Sequence, residues 1–399
     1  MHYSVLSENR HCNDYLLLDG SEQIVSYGMD TTHHWWAVTQ PFSNSYRLII
    51  DGDQTEIYKD LQQLTFSADG KRWACFVKDN SQWYLLTNDT LIALRCNDIG
   101  EIQYSPNSQH LIYSFFESND EYVIFKNNKM RVLNRKSHFY LSYNAEKIAW
   151  VSGYSNGYSI IINGTESDIY EEVNIFGFWY NGELLYSRKT GDYWEIYKGN
   201  ELISDAYTNI SEWEINIKGT VAAALCTEQS SMKVALIISE EYWEPLISNR
   251  FDNCYNLTLH PELSMVAFNA IRMGQEVIVF NNTEYSGGNT STGYPQFTFD
   301  GSEIYFVGCD VHCFVNINGK KFQLNSEIDI NKEFARKPNT NTIAYSTSTS
   351  LIVRNIENNI QYAGIMVDNI TPPRYNWRED RYEALGIINN RLYLMTCSF

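Results

Sequence analysis

Residues 66–76 read F-S-A-D-G-K-R-W-A-C-F, and the fold follows from this stretch and its copies. An aromatic residue leads into a tight turn centred on Asp69-Gly70, because Gly, Asn and Asp tolerate the positive φ that such turns require. The apolar run from Trp73 to Phe76 then reads as a strand. The same order returns as Y-S-P-N-S-Q-H-L-I-Y at 104–113 and as F-T-F-D-G-S-E-I-Y-F at 297–306. Looser copies begin at Tyr140, Phe176, Leu257 and Phe334. Each unit continues through a polar loop into a second apolar strand that ends near N-G or D-G. No stretch carries a capped 3.6-residue apolar period, so no long helix is expected.

That later strand acts as a ruler. It recurs at Tyr15, Tyr46, Trp83, Tyr122, Tyr158, Trp194, Val234, Glu276, Phe314, Leu351 and Leu392, at intervals of 31 to 42 residues. Four short strands and their turns need about 40 residues, which is the length of a β-propeller blade. An isolated four-stranded sheet has two bare faces, and stacking such sheets covers them. The expected fold is all-β: a β-propeller of about ten four-stranded blades of ~37–40 residues, forming one large ring or two smaller tandem propellers. The residues 1–399 read as a single repeat array. The alternative places tandem propellers at 1–206 and 207–399, but no Pro/Gly/Ser linker marks 206–212 and the period runs through it.

The three best copies resemble the F-S-P-D-G-x-x-I-A-Y signature of WD40-like, TolB-type (PD40-like) β-propeller repeats. The resemblance covers nearly the whole chain and implies the fold, while leaving function open, since such blades serve binding proteins, peptidase gates and assemblies alike. The chain departs from the signature at Ala68, where Pro is missing, and at Asn376 to Asp380, where the motif is degraded. The G-H and W-D dipeptides of true WD40 blades are absent from the pattern. Residues 2–28 read as a unit lacking its first strand and 373–399 as one lacking its last, so the two partial units overlap. The end strands at His2 to Ser7 and Leu392 to Cys397 are nevertheless expected in the same or adjacent blades, because unpaired edges are costly.

Composition bounds the function classes. The chain has 399 residues, with 44% hydrophobic and 20% charged, a globular balance. It holds 29 Tyr, 19 Phe, 10 Trp and 39 Asn, suited to strands joined by polar turns. A net charge of -18 argues against sequence-independent binding to nucleic acid or anionic membranes. No window reaches the ~18 apolar residues of a membrane span. The N-terminal stretch lacks a signal-peptide pattern, so a cytoplasmic protein is expected, with a virion component as an alternative. Cys12, Cys75, Cys96, Cys226, Cys254, Cys309, Cys313 and Cys397 are scattered, and several lie in apolar runs, which reads as reduced thiols acting as small hydrophobes. Trp73, Tyr113, Trp150, Tyr186, Phe268, Tyr305 and Tyr345 are expected on inner strands, mostly buried.

Candidate chemistry is sparse. Cys309-Asp-Val-His312-Cys313 offers soft zinc ligands, but no second pair completes four, and the segment reads as a hairpin loop. His33-His34-Trp35-Trp36 suggests a stacking site, yet Trp35-Trp36 also begins an inner strand. Asp51-Gly-Asp53 with Glu56 superficially matches a calcium loop but lacks the EF-hand spacing. Glu171-Glu172, Glu212 with Glu214, and Glu240-Glu241 are carboxylate clusters of the kind a glycosidase pairs across a cleft. Lys126, Lys129, Arg131, Arg135 and Lys136 form the one basic run, suited to an acidic partner or to protecting a sheet edge. No G-x-S-x-G elbow, P-loop or H-E-x-x-H is present. The expectation is therefore no catalytic, cofactor or metal residue, and a non-catalytic scaffold for a protein partner, within a larger assembly such as a viral particle. A glycan-binding propeller is the alternative, and a hydrolase with carboxylates in a central channel the second alternative.

Overall fold

The computed structural model describes residues 5–8, 11–242, 244–324, 333–358 and 360–399. Among them there is no α-helix, and the strands form ten antiparallel sheets. The fold is a ten-bladed β-propeller. Blade 1 spans 23–54, blade 2 60–94, blade 3 98–132, blade 4 140–166 and blade 5 173–202. Blade 6 spans 209–247, blade 7 253–286, blade 8 291–323 and blade 9 334–363. Blade 10 combines 369–397 with the N-terminal strands Val5–Glu8 and Cys12–Leu18. Eight blades have four strands paired in chain order; blade 8 has five and blade 10 six.

The extra strands have a local cause. In blades 8 and 10 the first strand is broken in two, and both pieces pair with the second strand. Pro295 and the pair Pro372-Pro373 sit at the breaks, where a residue without an N–H cannot extend the ladder. In blades 1, 3, 5, 6 and 7 the same first strand carries a register shift instead.

The ruler holds. Tyr46 and the nine later marks each fall on the third strand of a blade. The first mark, Tyr15, does not open an eleventh blade. It lies on Cys12–Leu18, which pairs with Arg391–Cys397 and so becomes the fourth strand of blade 10. Val5–Glu8 adds outside it. The two end segments therefore share one blade, as the edge argument requires, although His2 to Ser4 lie outside the described residues. The reading that the partial units overlap is corrected: they complement each other, because Gln23–Met29 is the first strand of blade 1 and leaves the strands before it free for blade 10.

By its internal packing the chain divides into two compact units. One comprises Met1–Gln62, Val77–Ser81 and Thr290–Phe399, and holds blades 1, 8, 9 and 10. The other comprises Gln63–Phe76 and Gln82–Asn289, and holds blades 3 to 7 with most of blade 2. In both, the core lies between the faces of neighbouring sheets. Leu185 and Ile196 of blade 5 meet Ala222, Ala224 and Leu236 of blade 6, and Ile343 and Tyr345 of blade 9 meet Tyr305 and Val315 of blade 8. Ala and Val dominate the facing positions of Val221–Thr227, and small side chains let two sheets approach closely.

All seven aromatic residues expected in the core lie on second strands, which are inner strands of their sheets. Trp150, Tyr186, Phe268, Tyr305 and Tyr345 are buried. Trp73 and Tyr113 are only half-buried; Trp73 opens its strand beside the turn. The cysteines need a larger correction. Cys75, Cys96, Cys226 and Cys254 are free, but Cys12–Cys397 and Cys309–Cys313 are disulfides. Each bonded pair consists of directly opposed strand neighbours, a juxtaposition invisible in the residue pattern.

Candidate functional site

The repeated turn is a self-contained hydrogen-bonded device. Ser67 Oγ donates to Asp69 Oδ1 (2.7 Å) and accepts from Arg72 N (3.0 Å). Ser105 with Asn107 and His110, Ser142 with Asn144 and Lys147, and Thr298 with Asp300 and Glu303 repeat the arrangement. The Asp or Asn then accepts the N–H two residues on, as in Lys71 N to Asp69 (3.2 Å) and Ser302 N to Asp300 (3.0 Å). Such side-chain turns mimic a backbone turn. The following residue takes a positive φ: Gly70 68°, Ser108 62°, Ala145 53°, Gly301 68°. The motif's polar residues are thus occupied with holding the chain.

Within the second unit these turns also link one blade to the next. Asp69 N donates to Ser108 Oγ (3.0 Å), and Arg72 donates to the Ser108 carbonyl. Lys147 Nζ donates to the Gly182 carbonyl (2.6 Å), Tyr180 N to that of Gly219 (2.9 Å), and Ile217 N to that of Pro261 (3.0 Å). In the first unit, Lys337 reaches Asp380 and Lys337 N donates to Tyr382 Oη (3.0 Å).

Buried charge serves the same end. Glu303 and Arg336 form a bidentate pair (2.9 and 3.0 Å) between blades 8 and 9. Arg336 also donates to the carbonyls of Thr340 and Thr342. Arg135 binds Glu121 (2.8 and 3.0 Å) and Glu101 (2.8 Å), and Ser114 donates to Glu121 (2.8 Å). Glu383 of blade 10 receives His33 Nδ1 (3.0 Å), Arg381 Nε (2.7 Å) and Asn376 Nδ2 (3.1 Å). Burial opposes ionisation of Glu383, but the bonds from His33 and Arg381 outweigh it and hold its pKa below the usual carboxylate value.

The sequence candidates land mostly in such roles. His33 is the Glu383 partner, and His34 Nδ1 meets Asp51 Oδ2 (2.5 Å). Trp35 is buried on the second strand of blade 1, as its strand reading requires. Asp51-Gly52 is a two-residue turn with both φ positive, and Asp51 Oδ1 accepts Trp35 N (3.1 Å). Asp53 and Glu56 point to solvent. Cys309 and Cys313 bond to each other, so neither sulfur is a thiolate. Among the described residues no cluster of three or more His, Cys, Asp or Glu side chains has metal-holding geometry.

Glu172 pairs with Lys189 (2.6 Å). Glu212 and Glu214 accept backbone N–H groups of blade 7: Leu257 N (2.8 Å) and Asn256 N (3.2 Å) on Glu212, Leu259 N (3.2 Å) on Glu214. Burial raises the pKa of Glu214. The basic run is dispersed: Lys129 pairs with Glu117 and Arg131 with Asp120 on the outer strand of blade 3, while Arg135 turns inward.

Sequence reasoning missed the exposed side chains of the same turns. The position that Pro holds in the resembling signature carries Tyr143 (40% exposed), Tyr180 (53%) and Ile217 (39%) in blades 4 to 6. In the first unit it carries Phe299 (54%) in blade 8 and Trp377 (54%) in blade 10. The Phe299 and Trp377 rings lie 6.2 Å apart and 16° from parallel, and Arg378 lies 5.2 Å from the Trp377 ring. The signal was present in the alignment of copies, at the positions where they depart from Pro.

Tyr180 also borders a cleft of about 690 Å³ between blades 5 and 6 of the second unit. Its apolar walls are Trp179, Leu202, Ile203, Leu236, Ile238 and Ile247. Glu240 and Glu241, flagged from sequence, line it with Glu201, Asp205 and Glu244, against Lys198.

No family model and no curated protein matches this chain. Among solved structures it is similar to the crystal structure of a eukaryotic initiation factor, at 13% identity and TM-score 0.47, covering 77% of this chain and 89% of that one. It is similar to TolB from Acinetobacter baumannii at 9% identity and TM-score 0.31, covering 65% and 75%. It is similar to the Dos1 propeller at 9% identity and TM-score 0.38, covering 84% and 92%. The likeness is one of fold.

Proposed function

We propose that this chain is a non-catalytic scaffold that binds a protein partner through the turns joining the first and second strands of its blades. The observation that supports this reading is the set of exposed apolar side chains at one repeated turn position: Tyr143, Tyr180 and Ile217 in one unit, Phe299 and Trp377 in the other. Large exposed apolar side chains cost solubility unless a partner covers them, and Trp, Tyr and Arg are the side chains that anchor interfaces. The buried carboxylates and the histidine at Glu383 are engaged in holding blades, which favours a structural over a hydrolytic use. The WD40-like, TolB-type affinity belongs to this proposal as well, resting on the turn motif, as does a cytoplasmic or virion setting.

The test is crosslinking of the purified chain in extract of its native host, followed by mass spectrometry, for wild type and for Tyr180→Ala, Phe299→Ala and Trp377→Ala. A crosslinked partner whose yield falls at least fivefold in one or more variants of unchanged melting temperature is expected. Equal yields in all four proteins would overturn the reading. Stacked rings also suit a sugar face, and the glycan alternative is favoured only if a glycan array gives binding that the Trp377→Ala change removes.

A further inference from the structure

We infer that the cleft between blades 5 and 6 is a docking groove for an extended, basic and partly aliphatic segment of a protein partner. This rests on the scaffold reading and names the chemistry of one of its contacts. The groove has a built apolar interior: Leu236, Ile238 and Trp179 are buried core side chains that continue to its surface, and Leu202 and Ile247 stand about half exposed on the outer strands of the two blades. Leu246 beside Ile247 is exposed as well. Tyr180 and Tyr242, each about half exposed, stand at its margin. Its volume of about 690 Å³ falls within the ~300–1,000 Å³ range of ligand sites, enough for several side chains of an extended chain.

Charge selects the occupant. Five carboxylates line the groove, from Glu201, Asp205, Glu240, Glu241 and Glu244, against the one ammonium of Lys198. Among the described residues none of the five carboxylates takes part in an ion pair. Elsewhere on the same unit, acids such as Glu117, Asp120, Glu172 and Glu228 are each matched by a Lys or Arg. A local excess of unmatched acid around apolar walls disfavours an acidic partner, an anionic membrane or nucleic acid, and favours Lys or Arg alternating with aliphatic residues. In an extended segment successive side chains point to opposite sides. Aliphatic residues then enter the groove while intervening cations meet Glu240, Glu241 and Glu244 along its edge.

The experiment uses three fluorescein-labelled eight-residue peptides: alternating Lys-Leu, alternating Lys-Ser, and alternating Glu-Leu. Fluorescence anisotropy with the full chain at 50 and 300 mM NaCl reads the affinity. Lys-Leu is expected to bind at least tenfold more tightly than either other peptide. Glu240→Lys/Glu241→Lys and, separately, Leu202→Ser are each expected to weaken it at least tenfold, whereas the exposed Asp53→Lys/Glu56→Lys pair, on and just after the last strand of blade 1, leaves it within twofold. Equal weakening by the blade 1 pair, equal binding of Lys-Leu and Lys-Ser, or no effect of the groove variants would overturn the inference by reducing binding to diffuse attraction towards an acidic protein. If that happens while the crosslinked partner still depends on Tyr180, Phe299 or Trp377, the groove assignment fails and the scaffold reading stands. If the partner yield ignores those three residues, the scaffold reading fails whatever the peptides do.

Discussion

Removing the Trp150 side chain tests the packing logic of the second unit most directly. Trp150 is 1% exposed on the second strand of blade 4, edge-on to Phe139 at 5.7 Å and 80°. Ile112 and Val123 of blade 3 close over it with Ile148 and Ile161 of its own sheet. Truncating a buried aromatic residue to Ala leaves a cavity and costs about 3–5 kcal/mol. One term runs the other way: the indole N–H is buried with no acceptor among the described residues, and deleting such an orphan returns about 1–3 kcal/mol. The net expectation for Trp150→Ala, from the middle of each range, is a loss of about 2 kcal/mol.

Trp150→Phe keeps a ring against Phe139 and also removes the orphan, so its loss is expected near 1 kcal/mol. Unfolding entropy of about 2.1 cal/mol/K per residue, over the roughly 220 residues of the unit, gives about 0.47 kcal/mol/K. The Ala variant should then melt about 4 °C lower and the Phe variant about 2 °C lower by calorimetry on the full chain. An Ala shift under 2 °C would refute the core assignment. A Phe shift as large as that of Ala would show that the indole N–H is satisfied after all and that the polar term has the wrong sign.

Deleting residues 390–399 removes the strand that pairs Cys12–Leu18 with Arg381–Ile388, so hydrogen exchange should accelerate in both; full protection at Tyr15 to Leu18 would break the shared-blade account. Glu383→Gln should cost about 3 kcal/mol at pH 7 by unpairing a buried charge cluster. Because the folded pKa of Glu383 is held below its ordinary 4.5, that contribution is fully present above about pH 4.5 and fades as pH falls through the lower folded value. Denaturation curves whose gap between wild type and variant stays constant down to pH 2.5 would contradict it. Thiol titration of the oxidised, denatured chain should find four free thiols, rising to eight after reduction; eight before reduction would remove both disulfides.

The Asp69-Gly70 and Asp300-Gly301 turns, the strands after them and the third-strand ruler from Tyr46 to Leu392 were legible because each depends on residues within one repeat. Ser67 caps Asp69 and Arg72 across five residues, a span a short motif records. The abundance of Asn belongs to the same local chemistry: Asn127, Asn163, Asn282, Asn318 and Asn390 all hold positive φ at hairpin turns. Acid clusters were legible only as composition. Nothing in Glu212-Trp-Glu214 announces that both carboxylates cap backbone N–H groups some 45 residues away, or that Glu240-Glu241 borders a groove while Glu172 meets Lys189.

By itself the sequence determined the all-β class, the blade period and the turn register, because turn chemistry and strand pattern act between near neighbours and repeat along the chain. Tertiary structure alone decided that Tyr15 completes the last blade rather than beginning a new one, since a strand finds its partner by the edge left open, here 385 residues away at the Cys12–Cys397 pair. It alone decided which cysteines bond and which aromatic residues of the repeat face water. Those outcomes depend on which blades stack against which, and stacking joins residues that the local pattern never places side by side.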